Sequence, residues 1–174
     1  MIRIASVGYL NAAPLVAGLD PNQYEVSCDV PSKVAFALRE GQVDVALTPV
    51  VCALNDGDFR IVGGVAIGSE GPVHSVVLVA ETPPEEWDEI VLDGESRTSA
   101  ILTQVLLRGP LASRCSAPVR TVAPGVGVES ARGTTAALVI GDAAMVLPDR
   151  LTVRLDLGEI WTEWTGLPFV FAVW

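Results

Sequence analysis

Short apolar runs alternate along this chain with mixed stretches of helical length, and that alternation predicts an α/β protein. Ile2–Val7 reads as a buried strand. Residues 12–19 follow as a helix, with Asn11 at its N-cap and Pro14 in a first turn that tolerates the missing N–H. Residues 24–30 form a second strand, on which Tyr24, Val26 and Cys28 share one face by the period of two. Pro31-Ser32 opens a helix over residues 33–40, closed by Gly41, and residues 43–47 make a third strand ending at Thr48-Pro49. The stretch from Tyr24 to Thr48 is therefore a βαβ unit, which implies a parallel sheet with a right-handed crossover.

Residues 61–67 and 73–80 are two further apolar runs, separated by Gly68-Ser69-Glu70-Gly71-Pro72. The stretch Glu81-Thr82-Pro83-Pro84-Glu85-Glu86 is the most linker-like in the chain. Residues 90–92 start a second α/β pattern, Ser96-Arg97-Thr98-Ser99 leads into a helix over 100–107, and residues 136–140 are another core strand. Residues 158–165 read as a short helix carrying Trp161 and Trp164, and 168–174 as a final strand. The expected organisation is two α/β lobes, 1–82 and 88–167, divided near Pro83-Pro84. Residues 168–174 then begin a return to the first lobe.

Composition narrows the class. Hydrophobic residues make up 50% of the 174, and charged residues 18%, which excludes intrinsic disorder. A chain of this size buries roughly 70% of its unfolded surface and needs no staples. A formal charge of -10 repels phosphate and argues against nucleic acid and anionic membranes. No apolar run approaches the ~20 residues of a membrane span, and the opening residues carry no export signal, so the expectation is a cytoplasmic protein. Cys28, Cys52, Cys115 and the single His74 show no metal-ligand spacing. They predict reduced thiols, with neither zinc nor disulfides.

Three constellations carry candidate chemistry. Tyr9-Leu10-Asn11 occupies the turn after the first strand, and open α/β sheets bind ligands outside the carboxyl ends of their strands. The bland alternative is that Asn11 only caps its helix. Ser96-Arg97-Thr98-Ser99 combines hydroxyls and a guanidinium with the free N–H groups of a helix start, which suits a carboxylate or phosphate. Its alternative is an ordinary N-cap with an exposed arginine. In Gly68-Ser69-Glu70-Gly71-Pro72-Val73-His74-Ser75, glycines and proline bring backbone near a ligand with Ser69 and Ser75 as donors, or simply make an inter-strand turn. The sequence lacks G-x-S-x-G, the Walker A motif and a dinucleotide fingerprint. The tryptophans Trp161, Trp164 and Trp174 read as core or interface anchors. The residues alone thus describe an α/β protein that binds a small anion.

A resemblance carries the reading further. Val7-Gly8-Tyr9-Leu10-Asn11-Ala12-Ala13-Pro14-Leu15 resembles the opening S-Y-L-N-x-x-P-L signature of the chorismate dehydratase family, of the futalosine route to menaquinone. The likeness continues at Pro31-Ser32, at residues 41–49 (GQVDVALTP), at Gly71-Pro72-Val73-His74-Ser75, at Ser96-Arg97-Thr98-Ser99 and at residues 165–171 (TGLPFVF). These blocks run in the family's order. At position 8 the chain has Gly where the family has Ser.

The resemblance implies a type II periplasmic-binding-protein-like fold, two α/β lobes closing on a ligand in their cleft. It implies removal of water from chorismate to give 3-[(1-carboxyvinyl)oxy]benzoate without a cofactor. Asn11 is then the expected catalytic residue, acting by hydrogen bonding because an amide is no base near neutral pH. Tyr9, Ser32, Thr48, Ser69, Ser75, Ser96, Arg97, Thr98 and Ser99 are the expected substrate-binding residues. The alternative function is a non-catalytic module that binds or senses a small anion on the same fold. Members of the family continue past the equivalent of Trp174. The sequence therefore carries the expectation of an incomplete first lobe, covered by a second chain or another copy.

Overall fold

A computed structural model describes residues 1–94 and 96–174. The chain divides into two compact units, Met1–Ile67 with Val170–Trp174, and Gly68–Phe169.

The first unit is built on β1 (Ile2–Val7), α1 (Ala13–Val16), β2 (Tyr24–Asp29), α2 (Pro31–Arg39), β3 (Val45–Ala46), β4 (Thr48–Pro49) and α3 (Val50–Asn55). Its main sheet has the order β2-β1-β3 and is parallel throughout, as the βαβ reading requires. Strand alternation sends Ala5 and Val7 to the face covered by Val34 of α2, where Ala12, Ala46 and Leu47 complete the core. Gly41, at φ +65, supplies the left-handed residue that ends α2. The loop before β3 is tied to β1 by Asp44, whose carboxylate accepts from the Arg3 N–H at 2.8 Å and its guanidinium at 2.7 Å.

The second unit contains β6 (Val76–Ala80), β7 (Glu89–Asp93), α4 (Arg97–Arg108), β8 (Val119–Val122), α5 (Gly127–Ser130), β9 (Thr135–Ile140), β10 (Val153–Asp156) and α6 (Leu157–Thr165). Five strands in the order β10-β6-β9-β7-β8 form its sheet. β7 runs parallel to β8 and β9, whereas β6 is antiparallel to β9 and β10. Val77, Val79, Val91, Ala137 and Val139 face a cluster with Ala131, Ala144 and Leu151. Alternation turns Leu78, Ile90, Leu92 and Leu138 the other way, where α4 and α6 pack with buried Leu102, Leu106 and Leu157. A sheet buried on both faces explains why its central strands are continuous apolar runs.

β5 (Ala66–Ser69) and β11 (Phe169–Val173) carry the two passages of the chain between units, and β11 pairs antiparallel with β4. The division thus falls at Ile67/Gly68 and not near Pro83-Pro84. Residues 81–86 connect β6 and β7, which belong to one sheet with β9 between them. Proline marks a break in regular structure there, and a short 3₁₀ turn at Pro84–Glu86 lets the buried Trp87 donate its indole N–H to the Thr82 carbonyl at 2.8 Å.

Several elements differ from expectation for local reasons. The helix after Asn11 shrinks to one turn at Ala13–Val16, with Ala12 at the N-cap position and no capping side chain. The run 61–67 contributes only Ala66 and Ile67 to a strand, and Ile61, Val62 and Val65 stay exposed. β8 and β10 have no apolar run to announce them, because as the two edges of the sheet they alternate Arg120 and Arg154 with apolar neighbours. The strand expected from residue 73 begins at Val76, since His74 adopts φ 63.

The Arg3 hydrogen bonds hold the Asp44 carboxyl down at about 2, from an ordinary 3.8. A depressed folded-state pKa stabilises the fold above the ordinary value and ceases to do so as pH falls towards 2. Asp44→Asn is therefore expected to melt below the wild-type chain near about pH 6. The gap between their melting curves should close on acidification towards about pH 2.

Candidate functional site

In the first unit the candidate residues follow consecutive parallel strands. Tyr9 and Asn11 come after β1, Ser32 after β2 in the first turn of α2, and Thr48 after β3. All four therefore lie at the carboxyl edge of that sheet, where the open ends of the parallel strands leave a ligand room. Tyr9 is half-buried against the core cluster, and its carbonyl accepts from the Ala12 N–H at 3.0 Å. Asn11 is exposed in the turn, released from the capping role because the helix starts later. Ser32 is half-buried beside a helix start that no side chain caps, and Thr48 is buried. A cavity of about 500 Å³ also lies in this unit, bordered by Val43, Thr48, Phe59, Arg60 and Trp174. Thr48 is the single candidate residue on its wall.

The second unit repeats the arrangement at its own carboxyl edge. β7 ends at Asp93 and hands the chain to α4, whose first turn holds Ser96, Thr98 and Ser99 buried and Arg97 exposed. The Ser96 hydroxyl makes no capping bond, and the buried Thr98 Oγ1 has no partner among the described residues. Ser75 sits next to the end of β9, because its carbonyl accepts from the Gly141 N–H at 2.8 Å and β6 starts opposite Ile140. Ser69 ends β5, ahead of the loop that leads to β6, and its buried Oγ likewise has no partner among the described residues. The Asp93 carboxylate accepts the Gly125 N–H at 2.8 Å, fixing the turn after β8 at the same edge. The uncapped start of α4 and the Thr98 hydroxyl, without a partner among the described residues, place hydrogen-bond donors at this edge.

A family model described as menaquinone biosynthesis matches residues 2–174. The chain belongs to the menaquinone-biosynthesis family. A curated chorismate dehydratase of Thermus thermophilus is 29% identical over 184 residues, covering 95% of this chain. The alignment covers 66% of that relative, so the chain spans about two thirds of its length. Among solved structures, protein AF1704 of Archaeoglobus fulgidus superposes with a TM-score of 0.70 at 19% identity, over 99% of this chain and 66% of that one. The alkanesulfonate-binding protein SsuA of Xanthomonas axonopodis pv. citri follows at 0.54 and 13%, over 99% and 60%. At such identities the likeness establishes the fold, which is the type II solute-binding-protein-like class expected from the sequence.

Within this member of the menaquinone-biosynthesis family, two residues that hold the second edge together escaped the sequence reading. Asp156 caps α6 and is also hydrogen-bonded to the turn before β6. Gly158 leaves the space in which that loop lies. The only local signal was an Asp followed by Gly and Glu ahead of an apolar run, a plain helix start. Among the described residues no group of three or more His, Cys, Asp or Glu gathers as a metal site, and no helix is long and apolar enough to cross a membrane.

Burying the Thr98 hydroxyl without a partner costs about 1–3 kcal/mol. Thr98→Val keeps the shape and removes the orphan, so the variant should melt no lower than the wild-type chain. Thermal denaturation checks this, and a lower melting temperature would show that the hydroxyl has a stabilising partner.

Proposed function

We propose that this chain is a chorismate dehydratase, a hydro-lyase that removes water from chorismate to give 3-[(1-carboxyvinyl)oxy]benzoate. The observation that carries the reading is the 29% identity to a protein of that name over 95% of the chain, within a family described as menaquinone biosynthesis. The anion-receptive edges support it. The substrate is a dianion, and hydroxyls with uncapped helix N–H groups hold carboxylates without demanding a basic protein surface. The reaction takes a proton from the ring carbon bearing the ether and expels the neighbouring hydroxyl as water. Aromatisation supplies the driving force, so the protein's task is orientation and charge placement. No step requires a cofactor.

Asn11 is the proposed catalytic residue. Its amide neither gains nor loses a proton near neutral pH, so it acts by hydrogen-bonding the substrate while a substrate carboxylate accepts the proton. Tyr9, Ser32 and Thr48 in the first unit are its proposed companions. Ser69, Ser75, Ser96, Arg97, Thr98 and Ser99 in the second unit are proposed to bind the carboxylates. A reducing, cytoplasmic setting belongs to the same reading, supported by the exposed thiol of Cys28.

Incubation of the chain with chorismate is expected to release the enolpyruvyl benzoate, read by absorbance and mass. Asn11→Ala should lower kcat by about 10²-fold with little change in KM, the loss typical of one donor aimed at developing charge. Chorismate binding without turnover would overturn the enzyme reading in favour of a sensing module, and full activity of Asn11→Ala would remove that residue from the mechanism.

The reading includes a second chain or another copy against the first unit. Exposed Phe36, Leu54, Ile61, Val62 and Val65, all in that unit, support it. Sedimentation velocity should show self-association or a requirement for a partner, and a monomer that remains soluble at high concentration would count against it.

A further inference from the structure

We infer that Asp156 and Gly158 are positioning residues for the substrate, shaping the loop that carries Ser69 and Ser75. The inference rests on the chorismate reading and deepens it. Asp156 is 7% exposed and stands at the end of β10. Its carboxylate accepts from the Gly158 N–H at 3.0 Å and the Glu159 N–H at 3.1 Å, closing the first turn of α6. It also accepts from the Val73 N–H at 3.0 Å and the His74 N–H at 2.7 Å, more than eighty residues earlier in the chain. Two oxygens thus satisfy backbone donors from two segments, and no neutral side chain of this size has that acceptor capacity.

The bond to His74 falls where the backbone most needs it. His74 is the only non-glycine residue with positive φ among the described residues, at 63°, a conformation that costs free energy unless its surroundings hold it. The Arg154 guanidinium grips the same residue from its other side, donating to the His74 carbonyl at 2.6 Å. Ser75 comes next, so the direction of its hydroxyl is set by the residue that Asp156 and Arg154 hold.

Gly158 fixes the earlier half of the loop. A Cβ there would stand 2.6 Å from Ser69 Oγ, 2.8 Å from the Gly71 carbonyl oxygen and 3.2 Å from Val73 Cβ. The loop lies directly on the Cα of Gly158, and the Gly71 N–H donates to Thr162 Oγ1 at 2.9 Å one turn further along α6. The start of α6 is the surface on which residues 69–75 are moulded, and the Ser69 hydroxyl there is buried with no protein partner among the described residues.

The test is Asp156→Asn in the full chain. An amide offers one acceptor oxygen and turns an NH₂ towards backbone donors, so the turn loses its tether while the side-chain shape is kept. The expected result is a KM for chorismate raised about tenfold with kcat changed less than about threefold, a split that marks lost binding rather than lost chemistry. Amide exchange should accelerate at Val73 and His74 and stay slow at Leu78 and Leu138. Because Asp156 acts through the loop hydroxyls, adding Asp156→Asn to a Ser69→Ala/Ser75→Ala chain should raise KM by less than about twofold further. Gly158→Ala, whose methyl pushes the loop away, should reproduce the KM effect and serves if Asp156→Asn does not fold.

An unchanged KM in both variants, or full additivity with the serine substitutions, would overturn the inference. A wild-type chain that neither binds nor converts chorismate would overturn the functional reading beneath it. Exchange at Val73 and His74 needs no substrate, so the two failures are told apart.

Discussion

The carboxylate of Asp156, buried where β10 meets α6, takes hydrogen bonds from Val73, His74, Gly158 and Glu159. Through these bonds the start of a helix and a turn from the other end of the unit share one anion. Without it, backbone donors in both segments would lose their acceptor, and a positive-φ histidine would lose part of what holds it. The second unit's sheet can form from apolar strands alone. The particular course of residues 69–75 across its carboxyl edge cannot, because that course rests on a polar contact and on the missing Cβ of Gly158.

Parallel pairing does the corresponding work in the first unit. Strands β2, β1 and β3 run the same way, so every one of them releases the chain at one edge. Tyr9, Asn11, Ser32 and Thr48 are far apart in sequence and become neighbours of a single sheet edge for that reason. The second unit reaches the same result with mixed pairing. β6 is antiparallel to β9, so Ser75 at its start lies beside the end of β9, and β7 brings Ser96 to Ser99 to the same side.

Electrostatics reconciles an acidic protein with the proposed anionic substrate. The net charge of -10 is a long-range property that salt screens within about 8 Å. In the proposed reading carboxylate recognition acts at hydrogen-bonding distance, through an uncapped helix start and hydroxyls without partners among the described residues, where the distant field counts for less. Ion pairs exposed at both ends, such as Arg114 with Glu85, contribute little to stability.

The sequence by itself determined the elements whose signal is local and periodic: β1, β2, α2 with its terminal Gly41, the central strands β6, β7 and β9, the helices α4 and α6, and the closing strand β11. Continuous burial writes itself into a strand as an unbroken apolar run, and one-sided burial writes itself into a helix as a stripe. The motif blocks also carried the family, because they name residue types in order and need no coordinates. Tertiary structure decided the rest. The edge strands β8 and β10 pair on one side only, so their composition is mixed and their identity comes from the neighbour. The passage between units falls at Ile67/Gly68 and not at the prolines of 83–84, since proline reports a local break and not the number of contacts across it. Asn11 is left uncapping because the helix after it begins at Ala13. Asp156 had nothing local to mark it beyond a helix start: its importance comes from Val73 and His74, which only the folded sheet brings within hydrogen-bonding reach.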